Sequence, residues 1–339
     1  MLGFGGAMRQ LLSIQVLRAV AALAVVVEHG RGQLDYWTGT SLIHATNAFS
    51  AGVDLFFVIS GFIIIITAWD GFGRADAIAP FALRRLIRIG FLYWLVTSIY
   101  VATGHYSLDR VIGSYLLLPP HPIHVLEVAW TLTLEMMFYG LVAAALVLPR
   151  ALALPAIVAA LAGLTLTSLP AYSNPLILEF VYGIVIAVAY QNGVRFSARA
   201  SIALTGIALA AFVALNLYVP QLPRAAIWGG PAALLLAAAA LGPALPLTRL
   251  TLFAAAIGDA SYALYLIHTP VVRAVANLAR LSGIDFNASL AATALYFILA
   301  IAAATGVALL LYRFVEAPVL SYAKRWTMSP RAVGRTSEA

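Results

Sequence analysis

A chain of 339 residues that is 63% hydrophobic and only 10% charged cannot cover itself with polar surface, since a soluble domain carries about 25% charged residues. Its net charge of +7 does not point to nucleic acid, because the Lys and Arg residues sit in short stretches between apolar runs and not on one soluble face. The absence of cysteine removes disulfides, thiolate metal sites and a cysteinyl acyl-enzyme.

Apolar runs long enough to cross a bilayer core of roughly 30 Å recur from end to end. Ten spans are predicted, at about 11–30, 49–68, 86–103, 128–149, 151–168, 174–191, 201–219, 226–246, 254–278 and 288–316. The expected fold is therefore all-α, a polytopic transmembrane helical bundle. It forms a single integral-membrane domain over 1–339, with the bundle at 11–316 and a cytoplasmic tail at 317–339. The first run is interrupted by Arg18 and ends at Glu28 and His29 without a small-residue cleavage site, so it reads as a retained helix. Connections are short except 31–48, 69–85 and 104–127, where Pro119, Pro120 and Pro122 argue against a straight helix. With the N-terminus inside, thirteen Lys and Arg residues fall on the cytoplasmic side. Only Arg31, Arg110, Arg224 and Arg280 fall on the other, and Arg18, Arg273 and Arg313 lie within spans. That bias predicts both termini in the cytoplasm, an N-in/C-in bundle in a bacterial inner membrane. Residues 150–250 are rich in Ala and Leu, with small residues that let helices approach. There Asn174 and Glu179 read as packing or interfacial groups.

An ionisable residue inside a span costs several kcal/mol on insertion scales and marks a pore, a relay or a catalytic site. On the first helix Arg18 and His29 are eleven residues apart, which is three turns plus about 20°, so they share one face with roughly 16 Å of rise between them. The second helix carries Asp54 at about the depth of His29. The fourth stacks Thr131, Glu135 and Tyr139 at i, i+4 and i+8. The ninth aligns Ser261, Tyr265 and His268 near the membrane middle. At the start of the third, Arg84, Arg85 and Arg88 form a guanidinium cluster suited to phosphates, being planar and permanently charged. Arg313 and Glu316, three residues apart, are expected to form an intrahelical ion pair. His121 and His124 lack a third ligand and make a weak zinc signal, so no metal is expected. His44 and His105 read as solvated loop residues.

Six stretches carry a resemblance to a known family. They are Arg18 followed after ten residues by His29; GVDLFFVISGF at 52–62; Arg85 and Arg88; WTLTLEMMFY at 130–139; SYALYLIH at 261–268; and YRFVEAP at 312–318. In order, over residues 18 to 318, they resemble the membrane-bound acyltransferase family 3, which includes bacterial polysaccharide O-acetyltransferases. The resemblance implies a ten-helix acyltransferase bundle and acetyl-CoA or another acyl-CoA as co-substrate. It also implies an essential histidine at His29 and essential arginines at Arg18, Arg85 and Arg88. The chain ends soon after the tenth run, as a stand-alone transmembrane form would.

On this reading Arg85 and Arg88, with Arg84 and Arg18, hold the donor phosphates from the cytoplasmic side. His29 acts as general base toward a sugar hydroxyl, with a carboxylate orienting its other nitrogen; Glu135 and Asp54 are the candidates, in that order. An acyl-histidine relay stays open beside direct transfer. Ser261, Tyr265 and His268 polarise the thioester carbonyl or line the acceptor path. The partners expected are a carbohydrate acceptor in an exopolysaccharide or other envelope glycan and the lipid bilayer. A second copy of the chain or polysaccharide-assembly machinery is compatible with the reading. The rival is a proton-coupled transporter or flippase of a sugar or lipid-linked substrate, which also uses intramembrane Arg, His, Asp and Glu but would show inverted repeats with broken helices.

Overall fold

The computed structural model describes residues 4–38, 47–119, 124–169, 171–218, 221–284 and 289–327. Every regular element among them is helical. The α-helices are α1 (Phe4–Thr38), α2 (Ala51–Ala68), α3 (Ile78–Thr103), α4 (Leu108–Tyr115), α5 (Ala129–Ala145), α6 (Arg150–Thr165) and α7 (Glu179–Gln191). They continue as α8 (Ala198–Tyr218), α9 (Gly230–Leu241), α10 (Arg249–Asp259), α11 (Ser261–Leu281), α12 (Leu290–Leu311) and α13 (Ala317–Thr327). Among the described residues, five stretches are long and apolar enough to cross a membrane: Leu12–Trp37, Ala51–Gly71, Ala75–Thr103, Ala198–Leu215 and Leu290–Ala323. The α10–α11 pair makes a sixth, and four shorter apolar helices complete the set. Each of the ten runs read from the sequence thus overlaps helix, and by length and composition five of these stretches, six with the bent pair, could each cross a membrane.

Met1–Thr67 with Leu161–Leu309 forms one compact unit, and Ala68–Ala160 with Leu310–Ala339 a second. In the first, α1 packs against α9, α10 and α11. Glycines set how closely α2 and α7 approach: a Cβ at Gly61 would overlap the backbone of Phe180, and one at Gly183 the carbonyl of Val58. Where burial supplies little hydrophobic drive between helices, such small residues give the van der Waals contact that holds them together. In the second unit α3 packs against α4, α5 and α13. Tyr93 donates to the carbonyl of Ser114 (2.9 Å) and Trp94 Nε1 to that of Tyr115 (2.9 Å), tying α4 to α3.

Three features depart from the sequence reading. The first helix runs on to Thr38 instead of ending near 30, giving 35 residues, or about 52 Å at 1.5 Å per residue. The predicted ninth span is two helices that meet at Ala260 with a 74° bend. The local sequence Gly258-Asp259-Ala260-Ser261 contains three of the weaker helix formers. Gly258 also presses on the backbone of Gln15 so tightly that a Cβ would overlap it, and Thr248 starts α10 with a capping box to Thr251. The predicted tail at 317–339 opens instead with α13, which follows a π-helical turn at Tyr312–Glu316.

Candidate active site

In the first unit, two contacts join α1 to α11. Arg18 donates from Nη2 (2.8 Å) and Nε (3.2 Å) to Oγ of the fully buried Ser261, the first residue after the bend. Eleven residues further along α1, the His29 ring meets that of His268 edge to face, with centroids 4.6 Å apart and planes at 71°. Both pairs advance in the same direction, so α1 and α11 run parallel along this seam. The chemistry-bearing faces read from the sequence are therefore brought together for Arg18, His29, Ser261 and His268. Tyr265 joins them, its ring 5.8 Å from that of His268.

The histidine tautomers follow from their partners. His29 Nδ1 lies 3.0 Å from the carbonyl of Val25, one turn back. A carbonyl only accepts, so Nδ1 carries a proton, and in the neutral ring Nε2 is then the nitrogen with the lone pair. His268, fully buried, is held likewise, with Nδ1 2.7 Å from the carbonyl of Tyr265 and 3.2 Å from that of Leu264. A backbone carbonyl thus occupies the nitrogen of His29 for which a carboxylate was expected.

Asp54 is engaged elsewhere. Its two carboxylate oxygens accept from Arg224 Nε (3.0 Å) and Nη2 (2.6 Å), and Arg224 reaches the carbonyl of Ser50 as well (3.3 Å). Asp54 is fully buried and Arg224 40% exposed. Glu179, also fully buried, lies beside Asp54 and fills the space left by Gly229. Sequence reasoning missed this network by placing Arg224 in an outer loop and Glu179 in packing. The available signal was that Glu179 is the one carboxylate between Glu135 and Asp259.

The second unit holds the arginine cluster. Arg85 stands over the rings of Phe81 (5.4 Å) and Tyr139 (5.8 Å) and within electrostatic reach of Glu135. Tyr139 donates to Glu135 across one turn of α5 (2.5 Å). Arg88 donates to Glu316 (3.1 Å), whose carboxylate is buried. Arg84 is exposed. The expected Arg313–Glu316 pair is replaced: the π-helical turn carries Glu316 to Arg88, while Arg313 stays exposed over the Phe314 ring. His121 and His44 lie outside the described residues. His124 is buried, with Nε2 2.9 Å from the carbonyl of Leu118.

The first unit thus presents an imidazole in the tautomer a general base needs, beside a second, buried imidazole and a part-buried arginine–serine contact. The second presents two braced guanidiniums of the kind that hold phosphates. With that geometry in hand, the comparisons with known proteins are direct. The family model described as the acyltransferase domain matches residues 11–313. The chain is 29% identical over 313 residues to the exopolysaccharide production protein ExoZ of Rhizobium meliloti (strain 1021), covering 85% of this chain and 95% of that protein. It is 30% identical over 315 residues to the acyltransferase MdmB of Streptomyces mycarofaciens, covering 78% and 79% of the two. No solved structure matches the chain.

Proposed function

The chain belongs to the acyltransferase domain family, and from that premise we propose that this multi-pass membrane enzyme moves an acetyl group from acetyl-CoA to a sugar hydroxyl of an exopolysaccharide. Its ten helical runs cross the inner membrane with both termini in the cytoplasm, as the arginine and lysine bias supports. The donor enters from that side. Arg85, braced by Tyr139 and Glu135, and Arg88, braced by Glu316, hold donor phosphates. Arg84, exposed and with no carboxylate pairing with it among the described residues, is left outside this set.

The observation that carries the reading is the His29 tautomer: Nδ1–H is fixed by Val25, so Nε2 is the free acceptor. Nε2 takes the proton of the sugar hydroxyl as its oxygen attacks the thioester carbonyl carbon. The carbon–sulfur bond then breaks, and the departing thiolate recovers the proton from His29. Hydroxyl plus thioester gives ester plus thiol, with no net proton change. Ser261, Tyr265 and His268 line the acceptor path or polarise the carbonyl. The sugar acceptor is supported by the similarity to the exopolysaccharide production protein of Rhizobium.

The test is free-thiol release from acetyl-CoA by the purified chain, with and without de-esterified exopolysaccharide. Wild-type turnover that His29→Ala loses by at least 100-fold while still binding acetyl-CoA is the expected result, within the span general-base catalysis supplies. A wild-type chain that neither binds nor consumes acyl-CoA sinks the donor assignment. That result would favour the carrier reading, which the bent α10–α11 pair also suits.

A further inference from the structure

The face of α3 that carries Leu83, Leu86, Phe91 and Trp94 is only partly covered by α4 and α13. With Val319 and Tyr322 of α13 it lines an open groove of about 370 Å³. On a helix turning 100° per residue, the four α3 positions cover an arc of about 140°, and Arg84 falls roughly 20° beyond its edge, at the end where Leu83 lies. The groove therefore has an apolar floor, and Arg84, which is not among its lining residues, lies by helical position just outside one rim.

The three clustered arginines differ in what holds them. Arg85 is covered by Phe81 and Tyr139, and Arg88 is bonded to Glu316. Arg84 is exposed, and among the described residues no carboxylate pairs with it. It stands six residues into α3, or about 9 Å of rise, inside the apolar stretch Ala75–Thr103. The sequence places it just ahead of the span at 86–103, on the cytoplasmic side, where the anion that a bilayer offers an exposed guanidinium is a lipid phosphate.

The size of the groove narrows the occupant. At about 30 Å³ each, close to the volume share of a liquid water, the groove takes roughly a dozen methylenes. That is one acyl chain.

We propose that this groove holds a single acyl chain of an anionic glycerophospholipid whose phosphate rests on Arg84. The site is separate from the transfer chemistry and rests only on α3 crossing the membrane. Arg88, by fastening α3 to the turn ahead of α13 through Glu316, holds the two walls together.

Native mass spectrometry of the full chain in detergent tests the assignment, with phosphatidylglycerol, phosphatidylcholine and palmitoyl-CoA as probes. Wild type retains one phosphatidylglycerol about fivefold more tightly than phosphatidylcholine, the preference one arginine near an anionic surface confers. Arg84→Gln makes the two lipids equal. Leu86→Trp from α3 and Ala323→Phe from α13 each fill the groove and release the lipid, and a thermal melt identifies which variant is folded and decides the matter. Equal affinity of wild type for the two lipids overturns the proposal, as does a folded, filled-groove variant that keeps its lipid. Displacement of phosphatidylglycerol by equimolar palmitoyl-CoA overturns it as well, since the groove would then be a donor-tail site.

Discussion

At the residue scale, the two carboxylates expected beside His29 do different work. The carbonyl of Val25 already fixes the imidazole, so Asp54 is free to lock Arg224 across the start of α2. Removing one partner of a buried pair leaves an uncompensated charge, which costs about 3–5 kcal/mol. Asp54→Ala leaves Arg224, which is 40% exposed and open to solvation, so the cost falls below that range, to about 1–3 kcal/mol. Asp54→Ala is expected to lower the melting temperature in detergent by several degrees, and Arg224→Met paired with it to recover part of the loss. A double variant no better than the single would show that Asp54 contributes by something other than Arg224. The sequence pointed to Asp54 as a buried charge but not to its partner, because the 170 residues between them are bridged only by tertiary packing. Tautomers were illegible for a similar reason: a helical histidine can reach its own i−4 carbonyl or a neighbour's carboxylate, and only the rotamer decides.

At the element scale, the α10–α11 bend tests which effect wins at Gly258. Alanine there gains about 1 kcal/mol of helix propensity over glycine, yet its Cβ would overlap the backbone of Gln15. Overpacking against a backbone that cannot yield costs about 1–3 kcal/mol, so Gly258→Ala is expected to destabilise. A raised melting temperature would mean that α1 and α10 separate without penalty. The loop ahead of α5 responds to acid. His124 is buried and bonded to Leu118, and burial chiefly, with the charge of Arg110, holds its imidazole below the ordinary value of 6.5. Well above pH 6.5, from about pH 7.5, folded and unfolded chains are both neutral at this residue, so it adds no pH dependence. Below that, the unfolded chain takes up a proton that the folded one refuses, and stability falls with acid. Melting curves between pH 7.5 and 5 should show this fall, reduced in His124→Gln; an unchanged slope in the variant would assign it to another group. The helices themselves were largely legible, because hydropathy alone marks each run. The bend at Ala260, the extension of α1 to Thr38 and the π-helical turn before α13 were not, since each depends on a close contact or a backbone register that carries no hydropathy signal.

At the scale of the whole molecule, the absence of cysteine makes topology directly measurable. Single cysteines placed at Arg74 and Arg195 are expected to resist a membrane-impermeant maleimide in intact cells, and ones at Arg110 and Gln221 to react. The reverse pattern would invert the bundle, and a mixed one would break the ten-span count. The same chain order also governs when the site comes into being. Arg18 and Ser261 stand 243 residues apart, and a ribosome adding roughly 5–20 residues per second needs about 12–50 s to bring the second after the first. For that interval the guanidinium of Arg18 sits in a nascent first helix with its hydroxyl partner still unmade. Membrane insertion of this protein therefore has a vulnerable window, in which a translocation channel or a passing lipid phosphate must shelter the charge until α11 arrives to claim it.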